Sequence, residues 1–348
     1  MTDKAFVNQV RRWLRLHLLM GLTILLVSAC GISTSPNPSS PSSQTSTTQC
    51  QAIEHDVGTT QVCGQPQRIA VLGPHMLDIL LSLGIQPSGY AEINLYFNPE
   101  TIGEPITHIP YLDNLITSSP INLGLRDSPS LEALLKFKPD LILGERVFAQ
   151  QYYSKLSQIA PTLLFEGSSG KDDWKTSVQV IAKALGHQSD AHKVISSHNQ
   201  KLATVRAQLT PVAVTQPRVL LLDARDLPNT FWAYDNETFA GGLIEEIGFQ
   251  LVFPTDQNQR RKEDRISLEV LPQVKADIII AIASDNEMEN SKHVWNQSPI
   301  TQSLQATQEN RVYFVDYHIW GSNVRGPITA EILIDEAHRL LSPLAESN

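Results

Sequence analysis

Apolar residues along this chain alternate between short unbroken runs and helix-like spacing. Runs that end at a turn residue predict buried strands at residues 68–72, 141–143 and 218–222. Residues 75–83 have apolar positions at helical spacing and stop at Gly84. Strands that alternate with helices predict a mainly parallel α/β sheet.

A fourteen-residue segment occurs twice. SLEALLKFKPDLIL at residues 130–143 and SLEVLPQVKADIII at residues 267–280 share seven identical positions at an offset of 137 residues. Each copy predicts a serine-capped helical stretch, a turn and a buried strand. The repeat therefore predicts two similar lobes in series, and a cleft between two lobes is a common place for a small ligand.

The longest helical pattern lies between the two copies. It covers residues 174–209, and we expect Pro211 and Pro217 to end it. The expected fold class is thus α/β, with two Rossmann-like lobes of mainly parallel sheet, one long connector helix and a ligand cleft between the lobes. The expected boundaries are residues 51–170 for the N-terminal lobe, 171–212 for the connector helix and 213–348 for the C-terminal lobe.

The first 50 residues differ from the rest. Basic residues and then an apolar run about half as long as a bilayer-spanning helix indicate a signal peptide over residues 1–29. Residues 27–30, VSAC, resemble the lipobox of bacterial lipoproteins, which implies a lipid on Cys30; the alternative is an ordinary signal peptide with a chance cysteine. Residues 30–50 are rich in Ser, Thr and Pro and predict a disordered tether. We expect an exported protein, lipid-anchored at the cell membrane in the periplasm or on the outer face.

The net charge and the cysteines limit the possible ligands and predict a crosslink. Without residues 1–29, 23 Lys and Arg stand against 35 Asp and Glu, a net charge of −12, which argues against nucleic acid. Cys50 and Cys63 flank a segment that alternates and turns near residues 56–58, like a hairpin. In an exported protein this arrangement predicts a disulfide, the alternative being two free buried thiols.

Three separated segments carry a family resemblance. They are RIAVLGPHMLDILLSLG at 68–84, PSLEALLKFKPDLIL at 129–143 and RVYFVDYHIWGSNVRGPITAEILIDE at 311–336. Together they resemble the helical-backbone substrate-binding proteins of ABC importers, which bind cobalamin or ferric siderophores. The last segment is most similar to members that bind ferric citrate or ferric hydroxamates. The resemblance implies a monomeric binding protein, not an enzyme, that delivers a ferric siderophore to a permease dimer with its ATPase.

One glutamate in each repeat copy is a candidate for contact with that permease. Glu132 and Glu269 occupy equivalent positions, and the resemblance implies that each meets arginines of the permease. Two like charges far apart on one face would fix orientation and speed encounter. The alternative is that both are first-turn helix glutamates, which the helix dipole favours.

Arginines near the repeat copies are candidates for the ligand site. Arg126 lies six residues before the first of these glutamates, where cobalamin-binding relatives place an aromatic that faces the cleft. The matching stretch 260–265 contains Arg261 and Arg265, with Glu263 at the equivalent position. Because a guanidinium fork suits carboxylate and hydroxamate oxygens, this departure favours an anionic iron chelate over cobalamin. The alternative for the 260–265 stretch is a solvated loop.

Further cleft candidates lie at strand ends and in the loops that follow, where α/β sheets present ligands. Aromatic rings there would lie against the organic part of a chelate. Lobe packing is the alternative for the aromatics, and for Arg225 it is an ion pair with Asp223 or Asp226. These candidates are Tyr96, Arg146, Arg225, Trp232, Tyr234, Trp320 and Arg325.

Histidines and catalytic motifs do not point to another function. His75 with Met76 is the place where a metal or haem ligand would fit, but no second histidine has an obvious matching place. We therefore expect no metal or cofactor bound directly by the protein, because a siderophore carries iron(III) with its own ligands. The alternatives are cobalamin, haem or bare-metal binding in the same fold, or an exported hydrolase, for which G-x-S-x-G and H-E-x-x-H motifs are absent from the sequence.

Overall fold

The computed structural model describes residues 49–94, 98–106, 109, 112–166, 174–253, 265–284, 287–321 and 324–346. These belong to one compact unit, Thr48–Asn348. The expected signal peptide, Cys30 and nearly all of the tether lie outside the described residues. Within the ranges above, no helix combines the length and apolar character needed to cross a membrane.

The first lobe is built on a six-stranded sheet. Its strands follow the order β6-β5-β4-β3-β7-β8 and are parallel, except that β6 runs antiparallel to β5. The central strands are buried on both faces, which explains their unbroken apolar runs. A hairpin of β1 and β2 precedes the sheet. The strands are β1 Cys50–His55, β2 Gly58–Cys63, β3 Ile69–Leu72, β4 Gly89–Glu92, β5 Ile121–Leu125, β6 Ser128–Pro129, β7 Leu141–Glu145 and β8 Thr162–Phe165.

Short helices connect these strands. Helix α1 begins at a proline, whose fixed φ and missing N–H suit the first helical turn. The helices are α1 Pro74–Ser82, α2 Leu131–Phe137, α3 Arg146–Ala149 and α4 Tyr153–Ile159, with 3₁₀ turns at Pro99–Thr101, Asp113–Leu115 and Gln150–Tyr152.

The connector consists of two helices, α5 Trp174–Leu185 and α6 Gln188–Thr215. The expected long connector helix is present as α6, preceded by the separate helix α5, and the expected connector bounds, residues 171–212, stay a prediction. Gly186 has a φ of 78°, which ends α5. Pro211 does not end α6, which continues until just before Pro217. Pro211 is exposed while the next residue, Val212, is fully buried, so packing of this last turn offsets the lost backbone hydrogen bond.

The second lobe is built on another six-stranded sheet. Strands β9, β13 and β14 are parallel neighbours, β11 adds in parallel to β9, and β10 and β12 complete the sheet in antiparallel fashion. The strands are β9 Arg218–Asp223, β10 Thr230–Ala233, β11 Gln250–Leu251, β12 Ile266–Ser267, β13 Ile278–Ala283 and β14 Val312–Asp316. The helices are α7 Phe239–Ile247, α8 Met288–Gln297, α9 Pro299–Gln302, α10 Gln305–Gln308, α11 Tyr317–Trp320, α12 Pro327–Leu341 and α13 Pro343–Glu346, with a 3₁₀ helix at Leu268–Gln273.

The two repeat copies fold alike but not identically. Ser130 caps α2 by accepting a hydrogen bond from Ala133 N at 3.2 Å, and Ser267 accepts one from Glu269 N at 3.4 Å. Strands β7 and β13 follow. The second copy forms a 3₁₀ helix because Pro272 interrupts the α-helical hydrogen bonds. The expected α/β fold of two lobes with mainly parallel sheets is confirmed; the lobe boundaries stay predictions.

The lobes are joined through α12. This helix packs against α6, α1 and α7, and one large apolar core extends across these elements. The carboxylate of Asp78, in α1 of the first lobe, accepts hydrogen bonds from Ile328 N and Thr329 N, each at 2.9 Å, at the start of α12. A first-lobe side chain therefore caps the helix that follows the second sheet.

Candidate functional site

Arginines from both lobes converge on Glu145, the last residue of β7. Arg126, just after β5, places Nη1 3.5 Å from Glu145 Oε1. Arg325, in the loop before α12, places Nη2 2.5 Å from Oε2. The Glu145 side chain is fully buried, whereas those of Arg126 and Arg325 keep 18% and 11% of their surface exposed. The two arginine side chains are thus partly exposed to solvent, whereas the carboxylate that they contact is buried. The cluster lies at the carboxyl end of the first sheet.

Other contacts hold the side chain of Arg126 and the backbone of Arg325. The Arg126 guanidinium lies 3.8 Å from the centroid of the Phe148 ring, and Arg126 N donates to Glu92 O at 2.9 Å. The ring Nδ1 of His75 lies 2.6 Å from the carbonyl oxygen of Arg325, at hydrogen-bond distance. These contacts do not depend on the charge of Glu145.

Gly73 makes room for this cluster. It follows β3 with a φ of 109°, a conformation that favours glycine. A Cβ atom there would lie 3.1 Å from Arg126 Cδ and 3.2 Å from Glu145 Oε1. A larger residue at this position would therefore displace the ion pair.

A second buried carboxylate lies beside the cluster. Glu92, at the end of β4, accepts hydrogen bonds from the Tyr90 hydroxyl at 3.0 Å and from Ile93 N at 2.7 Å. Burial and then the charge of Glu92 raise the pKa of Tyr90 well above its usual value, and the charges of Arg126 and Glu145 also act on it. Glu92, Arg126 and Glu145 therefore share one poorly solvated region.

The second lobe has a similar arginine at the carboxyl end of its sheet. Arg225 Nη2 lies 2.6 Å from Asp223 Oδ2, and its guanidinium lies 3.4 Å from the Tyr317 ring centroid. The Tyr234 hydroxyl donates to the same Asp223 oxygen at 3.3 Å. Trp232 is paired with Asp223 across the β9–β10 ladder and is 40% exposed. Each lobe thus presents an arginine stacked on an aromatic ring and paired with a carboxylate.

The remaining described arginine candidates are also ion-paired. Arg146 Nε donates to Glu166 at 2.7 Å, and Arg265 pairs with Asp226. The sequence suggested that these arginines would pair with an anionic ligand. In the structure every described candidate arginine already has a carboxylate partner.

One described candidate, Trp320, does not join these clusters. Trp320 has no exposed surface, and its Nε1 donates to Glu336 at 2.7 Å in the packing of α11 against α12. The expectation that Trp320 lines the cleft is therefore wrong: the short helix turns this ring into the core. Tyr96 and Arg261 lie outside the described residues.

Sequence reasoning missed four residues of the site, Glu92, Glu145, Phe148 and Tyr317. A usable signal was present for Glu145, because an acidic residue that ends an apolar strand, LILGE, needs a buried partner. The ring partners have no such signal, since an arginine can stack on any nearby aromatic residue.

Glu132 and Glu269 are both exposed, each in the first turn of its repeat helix. Their role in permease docking stays a prediction. Cys50 and Cys63 are paired in the hairpin register and joined by a disulfide. Among the described residues, no group of three or more His, Cys, Asp or Glu side chains is placed to hold a metal ion.

The sequence matches the periplasmic binding protein family over residues 69–318. The chain belongs to this family. It is 27% identical over 332 residues to YhfQ of Bacillus subtilis, named as a candidate ABC transporter substrate-binding lipoprotein, covering 92% of this chain and 97% of YhfQ. It is 27% identical over 301 residues to the Fe(3+)-citrate-binding protein YfmC of the same organism, covering 86% of this chain and 88% of YfmC.

A solved structure shows the same fold. Staphylococcus aureus SirA complexed with staphyloferrin B superposes with a TM-score of 0.67 at 24% identity, covering 84% of this chain and 98% of SirA. The family and this likeness place the chain among two-lobed binding proteins, and the arginine clusters lie where α/β lobes present ligands.

Proposed function

We propose that this protein is the substrate-binding component of an ABC importer and that it captures a ferric siderophore of citrate or hydroxamate type. The observation that carries the proposal is the convergence of Arg126 and Arg325, from different lobes, at one partly exposed position. Guanidinium groups from both lobes that keep part of their side-chain surface exposed suit the oxygen-rich surface of an iron chelate. Relatives named for ferric citrate and for siderophores support this ligand class.

The siderophore supplies the iron ligands, so the protein is a receptor and not an enzyme. The exposed Trp232 and the Tyr317 ring beside Arg225 would cover the organic part of the chelate. The edges of Arg126 and Arg325 would donate to its oxygens. Iron(III) enters as cargo, and no cofactor bound by the protein takes part.

Delivery completes the proposed function. Glu132 and Glu269 would meet the permease dimer, which works with its ATPase, and a lipid on Cys30 would anchor the monomeric protein outside the cell membrane. Exposure of both glutamates supports this docking. Relatives named as lipoproteins support the anchor.

Intrinsic fluorescence of the purified mature protein tests the proposal. Trp232 is 40% exposed whereas Trp174, Trp295 and Trp320 are buried, so a chelate in the cleft should quench mainly Trp232. We expect saturable quenching by ferric citrate or by a ferric hydroxamate, and not by cobalamin. Trp232→Phe should remove most of the quenching, and Trp295→Phe, a buried control, should leave it. Calorimetry that detects no binding of any ferric chelate would overturn the proposal.

A further inference from the structure

The candidate site has no excess positive charge among its described residues. Arg126 of the first lobe and Arg325 of the second share Glu145, with Glu92 buried nearby. The other described candidate arginines have one carboxylate each. The arginines are Arg126, Arg146, Arg225, Arg265 and Arg325, and the carboxylates are Glu92, Glu145, Glu166, Asp223 and Asp226.

Glu145 is central to this balance because it contacts arginines from both lobes. It has no exposed surface, so a ligand would meet the arginine edges and not the carboxylate itself. In such a poorly solvated place the negative charge acts strongly over a few ångströms. An anionic ligand would be attracted by the two arginines and repelled by the carboxylate behind them.

We propose that Glu145 sets the charge of the ligand that the cleft accepts, so that the site takes a ferric chelate of low net charge, such as a tris-hydroxamate, in preference to ferric citrate. This inference rests on the proposed function. Three deprotonated hydroxamates balance the charge of iron(III), whereas citrate complexes of iron(III) carry excess negative charge. A neutral chelate still uses the arginine N–H groups, because its oxygens accept hydrogen bonds without requiring a net positive site.

The net charge of the protein also favours a neutral ligand over an anionic one. The chain without residues 1–29 has a net charge of −12. A field of this sign slows the approach of anionic ligands and does not affect neutral ones.

The decisive variant is Glu145→Gln, which keeps the side-chain shape and one acceptor oxygen while it removes the negative charge. The Arg126 guanidinium should stay in place because it stacks on Phe148, and the backbone of Arg325 should stay in place because His75 contacts its carbonyl oxygen. The matched control is Glu309→Gln, which makes the same charge change at a more exposed carboxylate paired with Arg311, at the amino end of β14 and outside the candidate site. Calorimetry would give the Kd of a neutral ferric tris-hydroxamate and of ferric citrate for all three proteins.

We expect the unaltered protein to bind the hydroxamate chelate more tightly, and Glu145→Gln to shift the ratio of the two Kd values about tenfold toward ferric citrate, equivalent to about 1.4 kcal/mol. Glu309→Gln should shift the ratio less than about twofold, since exposed pairs are well screened. A preference of the unaltered protein for ferric citrate, or a shift in Glu145→Gln no larger than in Glu309→Gln, overturns the inference.

Salt dependence of the unaltered protein gives a second test that requires no variant. Between low and high NaCl, the Kd of the preferred chelate should change less than about twofold, because a neutral ligand at a charge-balanced site has no net ionic attraction to screen. Strong weakening by salt would contradict the inference. Absence of binding of either chelate would instead overturn the proposed function, so the two failures are distinguishable.

Discussion

The hydrogen bonds of Asp78 give the sharpest test of how the lobes are held together. Its carboxylate is fully buried and accepts from Ile328 N and Thr329 N, each at 2.9 Å, and from Thr329 Oγ1 at 2.6 Å. Asp78→Ala leaves two backbone N–H groups and a hydroxyl buried without this acceptor. At about 1–3 kcal/mol for each unsatisfied buried donor, we expect the free energy of unfolding to fall by about 3–5 kcal/mol, as when one partner of a buried charged interaction is deleted.

Urea unfolding followed by circular dichroism measures this change. Thr329→Val removes only the hydroxyl bond and should cost about 1–2 kcal/mol, so the two variants form a graded pair. Asp140→Ala is the control, because Asp140 also accepts from two backbone N–H groups, of Gln67 and Arg68, but within the first lobe and at an exposed position. If Asp78→Ala loses less than about 1 kcal/mol, or no more than Asp140→Ala, the reasoning about the buried cap is refuted.

Three other outcomes follow from the structure. Arginine substitutions at both Glu132 and Glu269 should leave chelate affinity unchanged but stop uptake in cells that depend on this importer, and undiminished uptake would contradict docking. Burial, with Lys charges nearby, lowers the pKa of His198 from 6.5 to about 4. Because the pKa is lower in the folded than in the unfolded protein, the stability that His198 contributes above pH 6.5 is lost as the pH falls toward 4. In urea unfolding, His198→Leu should therefore reduce the dependence of the free energy of unfolding on pH over this range. Serine substitutions at Cys50 and Cys63, which are 13 residues apart, should lower the free energy of unfolding by about 3 kcal/mol, and an unchanged midpoint would show that the hairpin needs no crosslink.

The repeat predicted more of the fold than any other feature. Its serine caps, helical turns and strands β7 and β13 occur as expected, because they depend on local chemistry and on apolar runs. The end of the connector was not predictable from Pro211 alone. A proline removes one hydrogen bond, but the burial of Val212 is a tertiary contact that the local pattern does not reveal.

The site was only half predictable for a related reason. The repeat suggested Arg126, and strand ends with their following loops suggested Arg225 and Arg325; the structure places Arg126 and Arg225 just after strands β5 and β9, and their role in ligand binding stays a prediction. The sequence did not reveal their charge balance, since Glu145 becomes a partner of Arg325 only when the chain folds across 180 residues. Trp320 failed as a candidate because a four-residue helix has no periodicity from which to infer its buried face.

The cap that Asp78 places on α12 also governs when the fold can be completed. Its partners lie 250 and 251 residues downstream. A chain that emerges from its N-terminus first must hold this carboxylate without its partners until almost the last residues have appeared. A product truncated before Pro327 would lack α12 altogether. Its loss should expose the apolar residues of α1, near the N-terminus, that pack against α12 in the complete protein. Such truncated products should therefore be sensitive to proteolysis.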